Sequence, residues 1–164
     1  MKVSPLMRVV LGRQWFGLVA SVVLFSSGCD VMSSKDDRLV GAARNDDVTR
    51  IEQLLKNGAN VNGREKGMLG QTPLVAAAAT DGTNAFYLLL RRGANINTPA
   101  ADGTTPLMEA VILGDANRAR VAELIRRGAN VNAVDRDKNS VLAHARAAGC
   151  QLIIQDLTAA GAKQ

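Results

Sequence analysis

Aromatic and histidine side chains are scarce in this chain of 164 residues. It has one Trp, one Tyr, three Phe and one His. Stacking sites for bases, haem pockets and most metal sites depend on such side chains, so we predict neither a cofactor nor a metal ligand. Alanine, leucine, valine and glycine supply most of the apolar content instead, which favours helices packed through small residues.

An excess of charge is also lacking once the start of the chain is set aside. The formal net charge is +5, but Lys2, Arg8 and Arg13 lie in the segment 1–28, which contains no acid. Without these three, 17 of the 20 basic residues remain against 15 acidic ones. This balance is too even to predict nucleic-acid binding.

The segment 1–28 has the layout of an export signal. Its basic residues precede an uncharged apolar run over 15–25, which is too short for a permanent membrane-spanning helix. The run ends in Ser26-Ser27-Gly28-Cys29, which resembles the cleavage box of bacterial lipoproteins, although that family usually has Leu in place of Ser26. We expect a signal peptide over 1–28, a lipid on Cys29 and a short tether over 29–35. The alternatives are export and cleavage without lipid, and an uncleaved membrane anchor.

Beyond Cys29 the chain repeats itself. Gly-Ala-Asn-Val/Ile-Asn occurs at 58–62 and recurs at a constant spacing at 93–97 and 128–132. Thr-Pro-Leu occurs at 72–74 and 105–107, with a degraded copy, Ser-Val-Leu, at 140–142. Two landmarks at a period in this range indicate a solenoid.

These landmarks resemble the ankyrin repeat, in which Thr-Pro-Leu opens a first helix, a pair of alanines follows, and a Gly-Ala turn ends a leucine-rich second helix. The resemblance implies an all-α solenoid of about four helix-turn-helix repeats with short hairpin fingers, a domain that we place at 36–164. The family's His after Thr-Pro-Leu is replaced by Val75, Met108 and Ala143. The resemblance also implies a non-catalytic protein that binds a protein partner through its concave face.

The residues agree with this interpretation. Thr72 and Thr105 are suited to cap the first helices, with Pro at the first helical position, and Gly93 and its equivalents are suited to end the second helices. Apolar residues at three- and four-residue spacings predict the buried stripe of each second helix. They are Val48, Ile51, Leu54 and Leu55; Phe86, Leu89 and Leu90; Val121, Leu124 and Ile125; and Leu152, Ile153 and Leu157.

Two segments are longer than the repeat requires. The finger at 63–70 and the loop at 114–118 each carry two extra residues, and such insertions are common places for binding surfaces. The apolar tip of the finger either contacts a partner or folds back onto the first repeat. Together with apolar residues at the exposed family positions, it gives the predicted partner-binding set: Met68, Leu69, Pro99, Ile112, Leu113 and Val134. The alternative is that the enlarged loop covers Ile112 and Leu113.

Catalytic motifs are missing from the sequence. If Cys29 carries the lipid, Cys150 is the only thiol that remains and His144 is the only imidazole, but the two are six positions apart and do not share a helix face. We interpret them as structural, and we predict no enzyme. Arg91-Arg92 and Arg126-Arg127 close successive second helices, where they complement the helix dipole or, alternatively, form a basic stripe for lipid headgroups.

Together these features predict a binding protein held at the periplasmic face of a bacterial membrane by the lipid on Cys29. We expect a monomer when no partner is bound, and Asp30 favours the inner membrane because it resembles a retention signal of enteric lipoproteins. The partner could be a toxic effector that the protein neutralises or an envelope enzyme that it protects. The alternative is a structural lipoprotein with no specific partner.

Overall fold

Residues 34–163, the part of the chain that the structure describes, form four helix pairs in the computed structural model. The predicted signal peptide and Cys29 lie outside these residues. The helices are α1 (Lys35–Arg44), α2 (Val48–Lys56), α3 (Pro73–Ala78), α4 (Asn84–Arg91), α5 (Pro106–Ile112), α6 (Arg118–Arg126), α7 (Val141–Ala147) and α8 (Gln151–Ala159). Within this range the only strand-like pairing is a single bridge between Val134 and Ser140. The all-α solenoid with short fingers is therefore confirmed.

The first helix of each later pair begins at its predicted cap. The hydroxyls of Thr72 and Thr105 each accept a hydrogen bond of 3.3 Å from the amide three positions on, and Pro occupies the first helical position. Ser140 caps α7 in the same way at 3.1 Å. These hydroxyls satisfy amides that a helix start would otherwise leave unpaired, so the short first helices begin at defined residues.

The first helix, α1, begins with a capping box in which Ser34 and Asp37 each accept the other's backbone amide. Ser34 and Lys35, predicted to belong to the tether, are therefore the cap and first residue of this helix. The Lys35 ammonium donates to the carbonyl of Asn57 at 2.8 Å. The start of the described array thus lies beside the C-terminal end of α2.

The core runs between the two helix layers of the array. Each second helix buries two large side chains a turn apart, and the small residues Ala76 and Ala77 of α3 are fully covered. The buried pairs are Ile51 and Leu54, Phe86 and Leu89, Val121 and Leu124, and Ile153 and Leu157. Leu152 was predicted to join this stripe, but it is 43% exposed. It precedes Ile153 by one position, which turns it about 100° away from the core.

The recurring asparagines join each repeat to the next. In each Gly-Ala-Asn turn, the second Asn accepts a hydrogen bond from a backbone amide of the following repeat: Asn62 from Asn95 at 2.7 Å, Asn97 from Asn130 at 2.8 Å, and Asn132 from Lys163 at 2.7 Å. Asp36 replaces the missing Asn at the start of the array and accepts from the amide of Asn60 at 2.8 Å. The motif is therefore scaffold.

The first helices pack more closely on one another than the second helices do. The array consequently curves with the first helices and the fingers on its concave side. None of the helices found between residues 34 and 163 is both long and apolar enough to cross a bilayer.

Candidate functional site

The long first finger folds back at its base and projects at its tip. The Glu65 carboxylate lies 3.2 Å from the Arg44 guanidinium, and the amide of Lys66 donates to Asp37 at 2.7 Å. This hydrogen bond lowers the pKa of the Asp37 carboxyl below its usual value. Met68 at the tip is fully exposed, and Leu69 is more than half exposed. The base of the finger therefore folds back onto the first repeat, whereas its apolar tip is left exposed.

Backbone hydrogen bonds join the three fingers, at 63–70, 98–103 and 133–138, into one rim. The amide of Ala101 donates to the carbonyl of Leu69 at 3.1 Å, and the amide of Arg136 donates to the carbonyl of Asp102 at 2.9 Å. Gly103 permits the second contact, because it has a φ of 89° and a Cβ there would lie 2.9 Å from the nitrogen of Arg136. The fingers therefore support one another as a continuous rim along the concave face.

The inserted loop leaves Ile112 uncovered. Residues Asp115–Asn117 form a 3-10 helix in which Asn117 is buried, and Asp115 accepts a hydrogen bond from the amide of Ile153 at 3.3 Å. The insertion thus packs toward the last repeat, and Ile112 remains 47% exposed. Leu113 is half-buried at the end of α5.

The six predicted contact residues differ in exposure. Met68, Leu69, Ile112 and Val134 are exposed apolar side chains, whereas Pro99 and Leu113 are half-buried. Small residues occupy the equivalent helix positions on either side of Ile112, at 79–80 and 147–148. Ile112 is therefore an exposed apolar side chain between two stretches of small, uncharged residues on the concave face.

The third finger is held by a polar contact that the sequence pattern does not reveal. His144 Nε2 lies 2.9 Å from Asp135 Oδ2, and Asn139 donates to the same carboxylate through its amide and its side chain. Although burial acts to raise the pKa of Asp135, the bonds from Asn139 and His144 hold it below its usual value. His144 lies one position after the site where ankyrin repeats carry His, and it fastens the finger to α7.

The ionised carboxylate of Glu109 is destabilised by its surroundings in the folded protein. Glu109 is half-buried on α5, and burial, together with the negative charge of Asp102, raises the pKa of its carboxyl above the ordinary value of 4.5, while His144 opposes this shift. The folded state therefore binds this proton more tightly than the unfolded chain does. As the pH rises from the pKa of Glu109 in the unfolded chain through its higher pKa in the folded protein, the stability that the bound proton provides is lost.

Glu109→Gln should therefore raise the melting temperature relative to wild type at about pH 7, and the gain should shrink at about pH 4, where the wild-type carboxyl is protonated. Thermal melts at both pH values measure this. Glu123→Gln is the matched control of opposite sign. Hydrogen bonds from Arg126 and Arg127 lower the pKa of Glu123 to about 2, so its carboxylate stabilises the fold at neutral pH. A melting temperature for Glu109→Gln below wild type at both pH values would contradict the prediction.

A buried arginine links the third repeat to the second. Arg120 of α6 is 3% exposed. Its guanidinium donates to the carbonyl of Thr80, to that of Ala77 at 3.5 Å and to that of Asp81 at 2.9 Å. Its guanidinium carbon lies 5.9 Å from the centre of the Phe86 ring, and burial lowers its pKa. Local pattern does not predict this role, because Arg50 occupies the same position of the first repeat and is exposed.

The candidate nucleophile and base have separate partners. Cys150 is buried, its thiol faces the carbonyl of Val111 at 3.8 Å, and burial raises its pKa. His144 is engaged with Asp135 instead. In the part of the chain that the structure describes, no group of three or more His, Cys, Asp or Glu side chains is placed to hold a metal ion.

Stacked helix pairs, a hydrogen-bonded row of fingers and a concave face with exposed apolar residues define a helical repeat protein. The family model for ankyrin repeats (three copies) matches residues 39–135, which is more than half of the chain and includes all six predicted contact residues. The chain therefore belongs to the ankyrin-repeat family. Such repeats generally mediate protein–protein interaction and are typically non-enzymatic. A comparison with curated proteins gave no match.

Proposed function

We propose that this protein binds a protein partner through the concave face, with Ile112 at the centre of the contact. The observation that carries the proposal is the exposure of Ile112 between two stretches of small, uncharged residues on that face, although the rest of α5 is largely buried. Exposed apolar groups bordered by polar residues are typical of protein interfaces. Met68, Leu69 and Val134 on the joined fingers extend the same surface.

The partner belongs to the cell envelope, as a toxic effector that is neutralised or an enzyme that is protected. Crosslinked pull-down of the mature protein from envelope extracts tests this, with Ile112→Glu run in parallel. A partner recovered by wild type and lost by the variant supports the proposal. The competing function, a structural lipoprotein with no specific partner, predicts that both proteins recover the same background.

We propose further that the array is held at the periplasmic face of the membrane by a lipid on Cys29. The cleavage box and the export-type segment before it support this, and so does the start of α1 only a few positions later. Asp30 favours retention at the inner membrane. Density-gradient separation tests the choice of membrane, and cofractionation with the outer membrane would refute inner-membrane retention.

Cys29→Ser should move the protein from the membrane fraction to the soluble periplasmic fraction, because serine has no thiol to accept the lipid. Fractionation followed by immunoblotting measures the shift. Cys150→Ser is the matched control and should leave the protein in the membrane, because it retains the cleavage box. Membrane association of Cys29→Ser that is unchanged after a high-salt wash, which removes electrostatic contacts, would overturn the lipid anchor.

A further inference from the structure

We infer that one edge of the array binds the anionic headgroups of the membrane that carries the protein. This basic edge lies at the C-terminal ends of the second helices and the turns that follow them. It consists of Lys56, Arg91, Arg92, Arg126, Arg127 and Lys163, all of them exposed. The inference rests on the proposed lipid anchor, and it adds an electrostatic contact that orients the array at the membrane surface.

Ion pairs at the basic edge leave it with an excess of positive charge. Arg92 lies 2.7 Å from Glu52, while Arg126 and Arg127 lie 2.8 and 2.6 Å from the single carboxylate of Glu123. Two carboxylates are thus paired with three of the six cations, while Lys35 and Asp36, which also lie at this edge, add no net charge. One carboxylate cannot neutralise two guanidinium groups, so the edge remains positive at neutral pH. One cation at the C-terminal end of a helix is enough to complement the helix dipole. The ends of α4 and α6 each carry two consecutive arginines, which is more than the dipole requires.

The cations border two equivalent grooves between successive repeats. Lys56 and Arg92 line the first groove, of about 650 Å³, and Arg126 and Arg127 line the second, of about 520 Å³. The Glu52 carboxylate, paired with Arg92, also lines the first groove, which keeps one positive charge in excess. The other lining residues of the two grooves are small, apolar or asparagine, at 55, 59–61, 90 and 93–96. Guanidinium groups make paired, charge-assisted hydrogen bonds to phosphate oxygens, and lysine contributes a point charge. Each groove therefore suits one phospholipid headgroup.

The chain enters the array at the same edge. The Lys35 ammonium lies 2.8 Å from the carbonyl of Asn57, and Asp36 lies 2.8 Å from the amide of Asn60, so the start of α1 adjoins the turn after α2. Cys29 precedes Ser34 by five positions, which span at most about 18 Å. A lipid on Cys29 would hold this edge near the membrane, where charges interact across a Debye length of about 8 Å.

Vesicle cosedimentation of the Cys29→Ser protein tests the edge without the lipid. The protein should bind vesicles of phosphatidylglycerol and not those of phosphatidylcholine, and high salt should release it. Replacing Arg91, Arg92, Arg126 and Arg127 with Gln should weaken binding by at least about tenfold, because basic residues near an anionic surface each contribute to the attraction. The matched control removes four cations from the fingers, at Arg64, Lys66, Arg136 and Lys138, and should bind like the parent.

Three outcomes would overturn the inference. They are equal binding to both lipids, binding that high salt does not change, and equal losses in the edge variant and the finger variant. If the parent does not bind vesicles and the edge variant loses a partner in the pull-down, the basic edge binds a protein and not a lipid headgroup. Failure of the anchor shows separately, as membrane association of Cys29→Ser that persists in high salt, which releases the basic edge, so the two proposals fail in distinguishable ways.

Discussion

Ile112→Glu is expected to weaken the partner complex by about 10²–10³-fold and to leave the melting temperature close to that of wild type. An apolar anchor at the centre of an interface commonly carries more than about 2 kcal/mol, and an unpaired carboxylate buried by the partner adds a further cost. In the free protein the side chain is 47% exposed, so Glu can remain solvated. The folding cost should therefore stay within about 0.5 kcal/mol, as is usual for surface substitutions. Partner recovery and a thermal melt, measured on the same preparation, check both parts.

Leu152→Glu is the matched control. Leu152 is also a half-exposed aliphatic residue, at 43%, but it lies on α8 in the second-helix layer, so its replacement should not alter binding. A large fall in melting temperature for Ile112→Glu would show that Ile112 belongs to the core. Normal melting with normal binding would move the interface elsewhere, and the finger tip with Met68 and Leu69 would be the next surface to test.

Arg120→Ala should lower the free energy of unfolding by about 3 kcal/mol or more, because it removes charge-assisted hydrogen bonds worth roughly 1.5–3 kcal/mol each. These bonds reach the carbonyls of Thr80 and Asp81. The substitution also removes a buried aliphatic stem beside the Phe86 ring. Denaturant unfolding measures the loss.

Arg120→Met separates the two contributions, because methionine keeps much of the packed volume and cannot donate to the carbonyls. It should recover part of the stability lost by Arg120→Ala. Leu89→Ala provides a reference for pure cavity formation in the same region, at about 2–5 kcal/mol, since Leu89 is fully buried. An Arg120→Ala variant within about 0.5 kcal/mol of wild type, the range of an ordinary surface substitution, would contradict the linking role of this arginine.

The positions of the helices could be read from the sequence because the relevant signals act over a few positions. A hydroxyl at Thr72 or Thr105 caps an amide three positions away, and the glycine after each second helix permits the left-handed turn. Both signals recur at the repeat period and reinforce one another. Leu152 was misassigned because three successive apolar residues, 152–154, do not specify which of them faces the core.

The candidate surface was only partly predictable. The family pattern pointed to exposed positions near Ile112 and to the long finger, but it did not separate the exposed residues from the half-buried Pro99 and Leu113. For Ile112 and Leu113 that distinction depends on where the inserted loop packs. In the structure, Asp115 turns the loop toward Ile153 and away from Ile112.

The sequence by itself determined the repeat, the family, and where the later first helices begin and the second helices end, since those follow from short-range capping, glycine turns and periodicity. Only the tertiary structure decided which polar residues hold the repeats together. Arg120 reaches carbonyls of the preceding repeat, and each finger joins the next through an amide and a carbonyl of different repeats. Such contacts depend on how one repeat is set against its neighbour. No local pattern encodes them. Arg50 and Arg120 occupy the same position of their repeats, yet Arg50 is exposed and Arg120 is buried.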